Sequence, residues 1–104
     1  RDMINYGLPV AIASNYNPGS CPCGDMKFMM ALCCLKMKMF PEEVINGATI
    51  NGAFAMDVDG SLGSITVGKV ANVFITKEVP SYEFLPYSFS TPLVDTVILN
   101  GKII

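Results

Sequence analysis

The stretch from Leu8 to Ser20, LPVAIASNYNPGS, limits the possible folds more than any other part of the chain. An apolar run, Leu8 to Ala13, meets a polar cluster of Ser14, Asn15, Tyr16 and Asn17, and Pro18, Gly19 and Ser20 then turn the chain. A short apolar run bounded by turn residues predicts a strand over about 8–14, buried on both faces as in parallel sheets. In such sheets, binding and reacting side chains gather where strands end and loops begin. The polar groups at 14–20 are therefore the first candidates for a functional site.

Composition decides what surrounds that strand. The chain has 104 residues, enough for one domain with a modest core. Yet 51% of it is hydrophobic and only 15% charged, where a soluble domain carries about 25% charge. Too little polar surface is available to clothe a globule of this size. The expectation is a piece of a larger protein, with apolar faces meant for partners. The opening residues agree: Arg1 is not an initiator methionine, and RDMINY before Gly7 reads as a helix end with a glycine stop. The net charge of −2 argues against nucleic acid or an anionic membrane surface as partner. The longest strongly apolar stretch, Phe28 to Leu35, is too short to span a bilayer.

Four cysteines stand as C-P-C (Cys21, Cys23) and C-C (Cys33, Cys34), and there is no histidine. Neither spacing is that of a structural zinc site. Nothing in the sequence signals a secreted, disulfide-forming context. The expectation is reduced, packed thiols in a cytoplasmic protein.

Beyond the first turn, Asp25 caps a predicted helix to about Met39 that holds five of the seven methionines. Met26, Met29, Met30, Leu32 and Cys33 form its core face. Phe40-Pro41-Glu42-Glu43 starts another helix, ending near Asn46 or Gly47, and a second short one covers Thr49 to Met56. Asp57-Val58-Asp59-Gly60 resembles the opening of a calcium loop but lacks the later ligands, so a turn is expected. From Ser61 the texture becomes β-like, with a strand in Val70 to Thr76. Val79 to Pro92 reads as an ordered aromatic loop. Thr96 to Leu99, Asn100-Gly101 and Lys102 to Ile104 read as a hairpin.

This order of elements resembles the C-terminal quarter of metal-dependent amidohydrolases. G-S-I-T-V-G-K-V-A-N-V-F-I-T (63–76) and N-G-K (100–102) are elements common across that superfamily. The S-N-Y-N-P-G-S run at 14–20 and the Tyr82-to-Tyr87 segment are more specific, and resemble the imidazolonepropionase family of histidine degradation. The resemblance implies an α/β fold: the last strand and helices of a TIM barrel (1–57), then strands of a small composite β-domain (61–104). It also implies hydrolytic opening of 4-imidazolone-5-propanoate to N-formiminoglutamate by a metal-activated water, with zinc or iron as the metal.

Carried over by position, the resemblance puts the family's metal-binding, proton-handling aspartate at Asn15. It puts substrate contacts at Asn17, Gly19 and Ser20. An asparagine is a weak neutral ligand and no general base at neutral pH. Around 88–90 the family often has a histidine and a glycine, where this chain has Ser88, Phe89 and Ser90. With no histidine here, the other metal ligands belong upstream of Arg1, so the chain alone is expected to bind no metal and to be inactive. Its unpaired strand edges favour self-association. Two other readings stay open: another or a degenerate amidohydrolase lacking the catalytic acid, and a non-enzymatic interaction module.

Overall fold

A computed structural model describes all of residues 1–104. Five helices and three strands follow one another as α1 (Asp2–Asn5), α2 (Met26–Met37), α3 (Pro41–Ala48), α4 (Ile50–Ala55), β1 (Val73–Thr76), α5 (Phe84–Tyr87), β2 (Val94–Leu99) and β3 (Lys102–Ile103). No helix is long and apolar enough to cross a membrane.

Local chemistry explains most of the boundaries. Asp25 accepts a hydrogen bond from the Lys27 N–H and starts α2. At the other end Lys38 turns left-handed (φ 55°), and the Met39 N–H closes back on the Cys33 carbonyl at 3.2 Å. Pro41 opens α3, and the Glu43 carboxylate accepts the Phe40 N–H at 2.7 Å. Glu43 also takes a two-pronged bond from the Arg1 guanidinium, which lies 4.9 Å over the Phe40 ring and binds the Lys38 carbonyl. One side chain thus ties α1 to the junction of α2 and α3.

The core of the helical part is small. Met30, Cys33, Met39 and Val44 form its centre, and Ile4, Val10, Ile12 and Ile45 pack around it. The expected core face of α2 holds in part: Met29, Met30, Ala31 and Cys33 are buried, while Met26 and Leu32 are only half-buried.

The strand expected over 8–14 is absent. A strand needs a neighbour to share a hydrogen-bond ladder, and this segment lies instead against α3 and α4. The Ile12 N–H donates to the Gly47 carbonyl at 3.1 Å, and the Asn51 amide donates to the Val10 carbonyl at 3.0 Å. The sheet that does form is wholly antiparallel, in the order β1-β2-β3. The parallel pairing expected of an α/β fold therefore gives way to helices plus a small antiparallel sheet. The hairpin stands as expected, with Asn100 and Gly101 both at positive φ. Its tip docks back on the chain before β1: the Asn100 N–H meets Asn72 Oδ1, and the Gly101 N–H meets the Ala71 carbonyl. Residues 57–60 form a turn, and the segment expected as an ordered aromatic loop contains α5. That segment is tied to α2 through Phe28 against Phe89 and through Lys27 Nζ to the Thr91 carbonyl.

Gly63 has a steric role. At φ +88°, a Cβ there would lie 2.5 Å from the Ala53 Cβ, so only glycine lets this turn press against α4. The surface remains apolar in many places. A compact monomer of 11.2 kDa exposes about 5,700 Å², but this chain exposes 7355 Å². Ile65 and Val67 are almost wholly in solvent.

Val44 has no exposed surface. Val44→Ala is expected to cost about 2 kcal/mol in urea unfolding, whereas a loss below about 0.5 kcal/mol, the range of surface changes, would mean the site is not a core position. The Glu43 carboxyl sits below the ordinary carboxylate range, first because of its bond from Arg1 and then because of the Phe40 N–H. A depressed carboxyl stabilises the fold above its unfolded pKa, and that stability is lost as pH falls through the folded value. Wild type and Glu43→Gln should therefore differ in urea midpoint at neutral pH and converge in acid. A gap constant with pH would rule out the charged bond as its source.

Candidate active-site loop

Residues 14–21 form a loop closed on itself. The Asn17 N–H donates to the Cys21 carbonyl at 2.9 Å, and the Cys21 thiol donates to the Ser14 carbonyl at 3.0 Å. The Tyr16 N–H meets Ser14 Oγ at 3.2 Å, and the Tyr16 ring lies over Gly24. Proline at 18 pre-sets the turn and glycine at 19 keeps it tight, since a Cβ there would stand 3.3 Å from Asn17 Oδ1.

The four residues singled out from sequence all fall on this loop. Asn15 is exposed and left-handed, with φ +50°, a conformation asparagine and aspartate tolerate better than most residues. Asn17 is half-buried and sits at the hub of the loop. Its Oδ1 accepts the N–H groups of Gly19 (2.9 Å) and Ser20 (2.7 Å), and its Nδ2 donates to the Asn15 carbonyl (2.6 Å) and to Ser20 Oγ (3.1 Å). Gly19 and Ser20 are exposed at the surface, but their amides point inward. Ser14 lies in the polar stretch already singled out from sequence; the role missed is that of Cys21, whose thiol binds the Ser14 carbonyl and joins the two ends of the loop. The thiol's partner is set only by the fold.

A cavity of about 710 Å³ lies beside this loop rather than under it. Ile12, Ala13 and Ser14 line one side, α4 another, and the approach to β1 a third, and the wall is mostly apolar. A second cavity of about 480 Å³ opens between α2 and α5.

The donor set around the loop does not fit a metal ion. The chain has no histidine, the loop offers only carboxamides, hydroxyls and one thiol, and no three of His, Cys, Asp and Glu come together. All four cysteines are free thiols. Cys33 is buried and Cys34 half-buried, and burial pushes both thiols up from their ordinary value.

Compared with known proteins, the sequence matches the amidohydrolase family along residues 1–104. The chain belongs to that family. Among curated amidohydrolase relatives, it is 56% identical over 104 residues to the imidazolonepropionase of Christiangramia forsetii, covering all of this chain and 25% of that protein. It is 54% identical to the imidazolonepropionase of Flavobacterium johnsoniae, again over the whole chain and 25% of the relative. The imidazolonepropionase of Alkaliphilus metalliredigens is 49% identical over the same span and 24% of its own length. The chain thus spans about a quarter of the length of these curated relatives.

The raised thiols of this amidohydrolase segment can be tested directly. Limited alkylation at neutral pH, read by peptide mass spectrometry, should label Cys33 last. Labelling of Cys33 as fast as Cys23 would show that the core around Met30 and Val44 is open.

Proposed function

We propose that the chain is the C-terminal quarter of an imidazolonepropionase-type hydrolase, whose complete form opens 4-imidazolone-5-propanoate to N-formiminoglutamate in histidine degradation. The observation that carries this reading is the match of the whole chain, at 40–56% identity, to proteins of that name. The exposed, self-closed loop at 14–21 is consistent with it, because it presents polar groups at the end of a docked apolar segment. On this reading, residues 8–14 are the last strand of a TIM barrel, and its partner strands belong to the rest of the protein. The sheet β1-β2-β3 is then part of a composite β-domain. Zinc or iron would be held by donors outside these residues, since the chain supplies no such set. By itself the chain is inactive and associates with itself through its open sheet edges.

Hydrolysis of the ring C–N bond needs a group that takes a proton from the attacking water. The family's aspartate position carries Asn15, whose carboxamide cannot accept that proton at neutral pH. What this loop does in the reaction is therefore limited to binding and orientation. A degenerate hydrolase is the second reading, and Asn15 is the observation that favours it.

A chimaera separates the two. Residues 1–104 would replace the matching segment of the Christiangramia forsetii enzyme, and ring opening would be followed with and without Asn15→Asp. The aspartate form should be active, and the asparagine form slower by about 10²–10⁴-fold, the usual contribution of a general base. Full activity with Asn15 would overturn the role given to this position. Inactivity of both forms, with the chimaera folded, would overturn the imidazolonepropionase reading.

A further inference from the structure

We infer that Cys21 is a positioning residue, whose thiol holds the peptide on which residue 15 is mounted. The inference rests on the reading of the 14–21 loop as part of a hydrolase active site, and it leaves the turn at 17–20 to the substrate.

Residue 15 hangs between two peptides, and each is gripped. The one before it, Ser14–Asn15, offers its carbonyl to the Cys21 thiol at 3.0 Å. The one after it, Asn15–Tyr16, donates its N–H to Ser14 Oγ at 3.2 Å. Asn15 itself stands at φ +50°, a left-handed conformation that is uphill for a residue with a Cβ and so needs holding. Neither bond uses the side chain at 15, which is exposed.

Cys21 is placed to do the holding. A thiol has a single hydrogen to donate, and the other carbonyl near it, that of Cys23, is farther off at 3.5 Å. The backbone of Cys21 is fixed separately, since its carbonyl accepts the Asn17 N–H at 2.9 Å. Just beyond it, Gly24 lies against the Tyr16 ring and Asp25 begins α2. On the other side, Val10 and Ile12 bind the segment before Ser14 to α4 and α3. The thiol therefore links the start of α2 to that anchored segment, across seven positions of sequence. Cys21 is half-buried and acts through Ser14, without touching substrate.

The Asn15→Asp chimaera and the 104-residue chain both test this. In the chimaera, Cys21→Ala should lower kcat by roughly 10-fold or more, towards the 10²-fold that a misplacement of about 1 Å can cost, and leave KM nearly unchanged. Cys21→Ser restores a donor and should recover most of the lost kcat. Cys21→Val fills the space without a donor; it should match the alanine form, and replaces it if that form does not fold. Unchanged kcat in the alanine or valine form would overturn the inference, as would a serine form no better than they are. A raised KM with kcat retained would overturn it in favour of direct substrate contact. In the 104-residue chain, the Raman S–H band that Cys21→Ser removes should lie below that of glutathione in water, the mark of a thiol donating to a carbonyl. A band at the glutathione frequency would overturn the inference whatever the chimaera does. Inactivity of the Asn15→Asp chimaera with Cys21 intact would instead overturn the hydrolase reading, and the catalytic part of this inference with it, while the Raman band still decides the bond.

Discussion

The segment at 10–12 has no strand beside it, and helix α3 holds it in place. The Ile12 N–H finds the carbonyl of Gly47, the last-turn residue whose lack of a side chain leaves room for the Val10 carbonyl 3.1 Å from where a Cβ would sit. The Asn51 amide adds a second bond one helix further on. The loop at 14–21 inherits its position from these contacts. Val10 and Ile12 also lie against the cluster of Met30, Cys33, Met39 and Val44, so the loop's anchor and the protein's core are one piece. A buried backbone must satisfy its polar groups somewhere, and here helices do what neighbouring strands do in a sheet.

The same segment shows what the chain leaves undone. Its far side opens on the large apolar cavity, which α4 and the approach to β1 border. The chain's excess exposed area is consistent with apolar faces shaped for further protein, and relatives four times as long have that protein to give. The sheet carries the same signature, with Phe74 and Ile75 exposed on an outer strand.

Sequence reasoning read the helices well because their signals are local. Asp25 as a cap, Pro41 with Glu43 behind it, and Asn100-Gly101 in the hairpin each work through neighbours a few residues away. The strand at 8–14 failed for the opposite reason: strand pairing depends on segments far away in sequence, and an apolar run cannot say whether its partner will be a strand or a helix. Helix α5 was hidden by Pro86 and by the prolines around it. In the loop, a turn around Asn17 was readable from N-P-G-S. The inward aim of the Gly19 and Ser20 amides was not, because the same turn could have offered them to a ligand. The family resemblance places Asn17 as a substrate contact, on a side chain that also organises the turn around it.

The cage around the Asn17 amide is made of carboxamides, a hydroxyl and backbone groups, and no ionisable side chain belongs to it. Its shape is therefore indifferent to acidity. Protons can come and go on the carboxylates and amines of the molecule without touching the bonds of that amide. A hydrolase built around such a frame would owe its pH profile to the groups it presents, to those facing them and to the one thiol, Cys21, that closes the loop on the Ser14 carbonyl.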